Sequence, residues 1–297
     1  MDEFVMDGFV LIDKPAGCTS HDVVNRWRKL AGTKRVGHLG TLDPMATGLL
    51  VLMTGKATRL AQFYGANDKT YLAEITFGLV SDTYDIEGEL IETGSPVPPE
   101  RTILCALDRF RGRFPQLPPP VSAKKINGVP AYKLARKQVP VDLTPVEIEV
   151  RQLEVHSLIG NKLVISVTCS AGTYIRGIAH DLGVELGCGA VLSSLRRTKS
   201  GDFPVESART LDALLALSKQ GRLAEAVIPA GQLLPQFPAE YFDLFTENRI
   251  RQGRDFRTSP FVVSGAAPFV RALSHSGDLI AIGELKIPNL YHPSVVL

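Results

Sequence analysis

No apolar stretch in this 297-residue sequence approaches the roughly 18 consecutive residues a membrane-spanning helix needs, so a helical membrane protein is not indicated. Cysteine is sparse and unpatterned. Cys18, Cys105, Cys169 and Cys188 form no Cys-x-x-Cys pair, which speaks against a zinc knuckle or a dithiol redox motif and leaves reduced, buried, small apolar side chains as the expectation. No internal repeat and no low-complexity tract is present. The opening Met1-Asp2-Glu3 is acidic where a secretory signal is basic, and no cleavable apolar segment follows, so a cytoplasmic protein is expected. Net charge is small as well. A balance of +2 does not by itself announce nucleic acid.

What is present describes an ordinary globular chain, with 44% hydrophobic and 22% charged residues and a length that suggests about two domains. The charge is unevenly spread. From Arg109 to Val141 there are eight basic residues (Arg109, Arg111, Arg113, Lys124, Lys125, Lys133, Arg136, Lys137) and no acidic one. A solvated face normally mixes signs, so this strip is read as facing a polyanion.

In chain order, Phe9–Lys14 reads as a short buried strand stopped by Pro15-Ala16-Gly17. Ser20 is the expected N-cap of a helix whose apolar positions Val23, Val24, Trp27 and Leu30 recur at helical spacing and end at Gly32. Leu49 to Met53 is a continuous apolar run consistent with a central strand, followed by a short helix from Ala57 to Tyr64. Lys69 to Phe77 alternates, with Tyr71, Ala73, Ile75 and Phe77 on one face. The acidic Ser81–Gly88 segment reads as a loop, and Pro99 to Phe110 as a helix. Pro115 and Pro118-Pro119-Pro120 forbid regular helix in the basic strip, with a short basic helix expected at Ala131–Lys137. Strands follow at 147–157 and 162–169, then helices at 174–186 and 210–217. Beyond a proline-rich boundary near Pro229, Pro235 and Pro238, the segments Phe261–Val263, Phe269–Leu273 and Leu279–Leu285 suggest a small β-rich module.

The chain is organised around Gly37-His38-Leu39-Gly40-Thr41-Leu42-Asp43-Pro44-Met45-Ala46-Thr47-Gly48. The proline biases Asp43 toward extended backbone. An Asp-Pro pair is commonly just an N-cap followed by the first residue of a helical turn. Here glycines allow close approach of a ligand or backbone, and His38 and Thr41 bring polar groups to the same loop, which suits a rigid mount for one reactive carboxylate. The stretch lacks the lysine and spacing of a phosphate-binding loop.

This block resembles the signature of the TruB family of tRNA pseudouridine synthases. The likeness extends, in the family's order, to Lys14-Pro15-x-Gly17-x-x-Ser20, Lys69-x-Tyr71, Ser122-Ala123-Lys124, Gly172-Thr173-Tyr174-Ile175-Arg176 and Leu195-Arg196-Arg197, spanning about residues 9 to 205. The resemblance implies an α/β (α+β) pseudouridine synthase fold with a mixed, mainly antiparallel sheet in residues 1–235, an RNA-gripping insertion around 70–145, and a small β-rich PUA-like RNA-binding domain at 236–297. It implies isomerisation of uridine to pseudouridine at position 55 in the T loop of elongator tRNAs by base flipping, with no cofactor and no metal.

By position, the resemblance makes Asp43 the catalytic aspartate, Tyr71 the ring that stacks on the base and a candidate for proton abstraction, and Arg176 the partner of the aspartate. His38 matches the histidine that fills the space left by flipped bases, and Leu195 an apolar wall. Lys14, Lys124, Lys125 and Lys133 are candidates for substrate or RNA-backbone contact. Taken alone, each has an ordinary reading: Tyr71 as core, Arg176 as a surface helix residue, His38 as a polar loop residue, Leu195 as core. The implied partner is the tRNA T arm, with no membrane and no guide RNA, and a monomer is expected. Two competitors are a binding protein that refolds tRNA without catalysis and a guide-RNA-dependent synthase; the intact Asp43, Tyr71 and Arg176 favour the enzyme over the first, and the short tail without a long basic extension speaks against the second.

Overall fold

The computed structural model describes residues 7–121, 125–126, 129–130, 143–263 and 267–297. Strands β1 (Gly8–Lys14), β2 (Val36–His38), β3 (Thr47–Thr54), β4 (Lys69–Phe77), β5 (Gly112–Gln116), β6 (Val146–Ile159), β7 (Lys162–Cys169) and β8 (Ala190–Ser200) build the larger sheet. Its order is a two-residue strand at Arg209–Thr210, then β1, β3, β8, β4, β7, β6 and β5. All of these neighbours are antiparallel except the first pair and β3 with β8, so the sheet is mixed and mainly antiparallel as expected.

The apolar run in β3 is explained by burial on both faces. Side chains alternate along a strand, so Leu50 and Leu52 join one core with Trp27, Ile75 and Ile165, while Leu49, Val51 and Met53 join a second core with Leu233, Leu279, Ile282 and Leu297. The second core ties the large sheet to a five-stranded C-terminal sheet. That sheet comprises β9 (Ala239–Phe242), β10 (Phe256–Arg257), β11 (Phe269–Ser274), β12 (Leu279–Ile287) and β13 (Leu290–Val296), in the order β9-β11-β12-β13-β10. The chain's end is thus β-rich, as its sequence suggests. Phe261–Val263, however, is a turn and not a strand, because it is short, mostly exposed and pinned by Val263 N donating to Ser259 O.

Two helices flank the site described below. Helix α1 (Ser20–Ala31) ends at Gly32 in the left-handed region, and α3 (Ile175–Glu185) lies beyond a second helix, α2 (Glu100–Leu107). The N-cap of α1 is Thr19, not Ser20. Thr19 and Asp22 form a reciprocal capping box, which frees the Ser20 hydroxyl for another task. The 57–64 helix is a 3₁₀ helix at Gly55–Phe63. Lys69–Phe77 sits in the middle of the sheet with Tyr71, Ala73, Ile75 and Phe77 inward. Within the segment around 70–145, Lys69–Phe77 and Gly112–Gln116 belong to the large sheet, while the described residues 78–111, 117–121, 125–126 and 129–130 lie off it. The helix expected at 131–137 lies outside the described residues.

Candidate active site

No helix follows Asp43. Residues 44–45 bend, Ala46 N donates back to Asp43 O at 3.1 Å, and β3 begins at Thr47, so the N-cap reading of Asp43 fails for want of a helix. Instead both neighbours of Asp43 are clamped. The Ser20 hydroxyl accepts from Leu42 N at 2.9 Å and donates to Leu42 O at 3.1 Å. The Pro44 carbonyl accepts from Gly17 N at 2.9 Å and from the Lys14 ammonium at 3.1 Å. The Lys14-Pro15-x-Gly17-x-x-Ser20 motif is therefore a grip on the two residues that bracket Asp43. Gly48, at φ 95°, completes the approach: a Cβ there would sit 2.3 Å from Arg197 O, on the strand paired beside it.

Lys14 departs from its expected role. It is fully buried, and its ammonium donates to Pro15 O, Cys18 O and Pro44 O, so its three protons are spent on the chain and none is presented to a phosphate. A lysine at a strand end normally reaches solvent, and the proline-glycine turn folding over it is what closes it in.

Arg176 opens α3 and is buried, with Nε 3.2 Å from Asp43 Oδ2 and Nη2 donating to Asp43 Oδ1 at 3.4 Å. The guanidinium is held from behind by carbonyls, Nη1 donating to Thr83 O at 3.1 Å and Nη2 to Val121 O at 2.6 Å. A second anion completes the set. Asp85 is buried, with Oδ2 3.9 Å from Arg176 Nη1 and Oδ1 accepting from the Thr83 hydroxyl and Glu87 N. Burial pushes the Asp43 carboxyl above the ordinary carboxylate range; Arg176 opposes that shift, Asp85 adds to it, and Lys14 opposes it.

Asp43 and Arg176 face two cavities. One, of about 400 Å³, is lined also by His38, Lys69, Tyr71, Tyr174, Leu195 and Arg197; the other, of about 660 Å³, by His21, His38, Thr83, Asp85 and Glu87. Tyr71 and Leu195 come from β4 and β8, which pair antiparallel, with Leu195 opposite Ala73. Burial raises the Tyr71 phenol, and the neighbouring Arg197 works against that rise. Burial lowers the His38 imidazole, Arg197 adding to the effect, so the ring is neutral at physiological pH; its Nδ1 has no hydrogen-bond partner among the described residues. Arg197 itself is buried and spans the loop, Nε donating to Leu49 O at 2.6 Å and Nη2 to Gly40 O at 3.1 Å.

The structure thus brings together Asp43, Tyr71, Arg176, His38 and Leu195 from four separate segments. Lys124 and Lys133 lie outside the described residues, as does the side chain of Lys125, whose backbone forms a two-residue strand. Among the described residues, the arginines of the basic strip are paired: Arg109 with Glu185, Arg111 with Asp108 and Arg113 with Glu149. Sequence reading missed Asp85, hidden in what looked like a solvated acidic loop, and Arg197, whose motif was noted without a task.

Comparison with known proteins identifies a family. Residues 28–175 match the family model described as TruB family pseudouridylate synthase (N terminal domain), and residues 176–235 match the tRNA pseudouridylate synthase B C-terminal domain. The chain is 51% identical over 295 residues to a protein of Solibacter usitatus named tRNA pseudouridine synthase B, covering 98% of this chain and 100% of that one. It is 46% identical over 232 residues to the Opitutus terrae protein of the same name, covering 77% and 95%. Among solved structures, one titled as a Cbf5-Nop10-Gar1 complex is similar with a TM-score of 0.69 and 26% identity, over 96% of this chain and 80% of that one.

Proposed function

This chain belongs to the TruB family of pseudouridylate synthases, and from that premise we propose that it isomerises uridine to pseudouridine at position 55 in the T loop of elongator tRNAs, with Asp43 as its nucleophile. The reaction is an isomerisation. The N1–C1′ glycosidic bond breaks, a C5–C1′ bond forms, C5 loses a proton and N1 ends with one, so neither water nor electrons are consumed.

The observation that carries the reading is the Asp43–Arg176 pair at 3.2 Å, set at a cavity that Tyr71 also lines. Arg176 keeps the carboxylate ionised and aimed against the burial that favours its protonation. Tyr71 offers its ring to the base. With its phenol held neutral, Tyr71 must first give up its own proton, which N1 of the detached base can take, before the phenolate, favoured by Arg197, accepts the proton from C5. The target base leaves its stack to enter the cavity, a step costing a few kcal/mol, which is about what one stacking and pairing loss demands. His38, neutral and bordering both cavities, is placed to occupy the space a flipped base vacates.

Lys124, Lys125 and Lys133 are assigned to tRNA phosphates, where each contact adds affinity and salt dependence without sequence choice. The module at 236–297 carries exposed Phe245 and Phe261, with Arg249 over the Phe245 ring at 5.9 Å, a composition suited to single-stranded nucleic acid. On this reading the chain acts as a guide-independent monomer in the cytoplasm; its tRNA substrate is supported by 51% identity over 295 residues to a protein named tRNA pseudouridine synthase B. A mass-labelling or tritium-release assay on unmodified tRNA, with and without uridine at position 55, tests it. Product from the tRNA lacking that uridine, or normal product from Asp43→Asn on a T-arm stem-loop, would sink it.

A further inference from the structure

The backbone of Tyr84 lies at φ 67°, in the left-handed region that a residue bearing a Cβ enters only when its surroundings hold it there. What holds it is visible. The Tyr84 ring stacks face to face on the His180 ring, with centroids 3.7 Å apart and planes within 8° of parallel. His180 sits four residues after Arg176 on α3, hence one turn along the same face of the helix. On the other side, Leu192 N donates to Tyr84 O at 3.0 Å and Ile86 N to Leu192 O at 3.2 Å, stitching the loop to β8.

The residues adjoining Tyr84 are the ones that grip Arg176. Thr83 O accepts from its Nη1, and Asp85 lies 3.9 Å from the same nitrogen. The Ser81 hydroxyl donates to Asp85 O at 2.7 Å and the Thr83 hydroxyl to Asp85 Oδ1 at 2.6 Å, so the loop moves as one piece. We infer that the Tyr84–His180 stack is a latch that pins the 81–88 loop to α3 and thereby sets the guanidinium of Arg176 against Asp43. Tyr84 and His180 are positioning residues; neither lines the cavity that holds Tyr71. This inference rests on the reading of Asp43 and Arg176 as the reaction centre.

The test uses the full chain with single-turnover pseudouridine formation at saturating enzyme, tRNA binding, and thermal melting for each variant. Among the described residues the Tyr84 hydroxyl has no hydrogen-bond partner, so Tyr84→Phe keeps the latch and is expected to react at the wild-type rate. Tyr84→Ala and His180→Ala are each expected to slow the step about ten- to a hundredfold, since small misplacement of a reacting group is that costly. Their tRNA affinity is expected to stay within about threefold of wild type, and the double variant to be no slower than the worse single one, as for two halves of one contact. His180→Ala approaches the same contact from the helix, so the test stands if Tyr84→Ala fails to fold.

Wild-type rates in both alanine variants, additive losses in the double variant, or an equal loss in Tyr84→Phe would overturn the latch. So would a fall in affinity matching the fall in rate. Asp43→Asn is measured alongside: activity in that variant overturns the reaction centre, whereas its inactivity beside wild-type alanine variants overturns the latch alone.

Discussion

Nε of Arg176 lies 3.2 Å from Oδ2 of Asp43, and the guanidinium behind that contact is fixed by the carbonyls of Thr83 and Val121. A lysine cannot reproduce this. Its ammonium is a point charge on a flexible stem, without the planar fork that serves two carbonyls and a carboxylate together. Arg176→Lys is expected to lower the single-turnover rate about 10²- to 10³-fold, in the range for losing one preorganised group at a reaction centre. Since Arg176 is buried and its guanidinium is engaged by Asp43 and by the carbonyls of Thr83 and Val121, tRNA affinity should change little. A filter-binding measurement showing the larger loss in affinity would reassign Arg176 to substrate contact.

Asp43→Asn should stabilise the fold at neutral pH. Burial is the main reason the Asp43 carboxyl titrates above the usual range, so the folded chain holds this proton more tightly than the unfolded chain does. The resulting stability is full below the ordinary carboxylate pKa and is lost as pH rises through the raised folded value. At about pH 7 to 8 the wild type therefore carries an ionised, partly desolvated Asp43 that asparagine avoids. The variant should melt at or above the wild-type temperature there, with the gap closing below about pH 4. A melting temperature below wild type at neutral pH would show that the Arg176 pair outweighs burial.

Asp85 pushes the Asp43 carboxyl up, acting as a second negative charge on the same guanidinium. Catalysis by an ionised Asp43 gives a rate that rises with pH through the Asp43 pKa. Asp85→Asn is expected to shift that acid limb to lower pH while reducing the plateau rate, because Arg176 loses one of its restraints. An acid limb that stays in place would mean the two carboxylates do not sense each other.

Much of the site could be read in advance because its parts carry local marks. Asp43 stands out by the glycines and proline around it, Tyr71 by the alternation of its strand, and Arg176 as a cation in the first turn of a helix, where the dipole disfavours it. The misreadings share a different cause. Asp85, Lys14, Arg109 and Arg113 all have partners distant in sequence or on the backbone, and composition shows charges without showing what pairs them. Asp85 is buried only because Arg176 lies 91 positions on in the chain and the loop closes over it. Arg109 and Arg113 lose their apparent availability to Glu185 and Glu149, contributed by α3 and β6. Ser20 looked like a cap, and was displaced by Thr19, since either residue satisfies the local rule and only the position of Leu42 decides between them.

Lys14→Met tests the reassignment of that residue. Methionine matches the stem's volume but leaves the Pro15, Cys18 and Pro44 carbonyls without their charged donor, while also relieving the burial of an ammonium. A net destabilisation of about 2–4 kcal/mol is expected, since a carbonyl left unpaired costs roughly 1–3 kcal/mol before that relief and, of the three, Pro44 O keeps the Gly17 N–H. Turnover should fall with the loosening of Pro44. The dependence of tRNA affinity on salt should not move, because no phosphate contact is removed. A stable variant whose salt slope flattens by about one would return Lys14 to the RNA surface.

Six of the eight basic residues of the strip fall into two groups with different expected behaviour. Arg109, Arg111 and Arg113 are engaged with Glu185, Asp108 and Glu149, so part of their charge is already neutralised by the protein. Lys124, Lys125 and Lys133 are the residues assigned to phosphates. Changing these three lysines to glutamine is expected to flatten the slope of log affinity against log salt by about two to three, close to one released counterion per phosphate contact. The corresponding arginine triple should flatten it less, because exposed ion pairs are weak but still compete with a phosphate for the same guanidinium. Single-turnover rates at saturating enzyme should be nearly unchanged in the lysine triple, since phosphate contacts hold the tRNA in register and do no chemistry. An unchanged salt slope in the lysine triple, with the arginine triple causing the larger effect, would place the tRNA path along α2 and β5 and off the 124–133 segment.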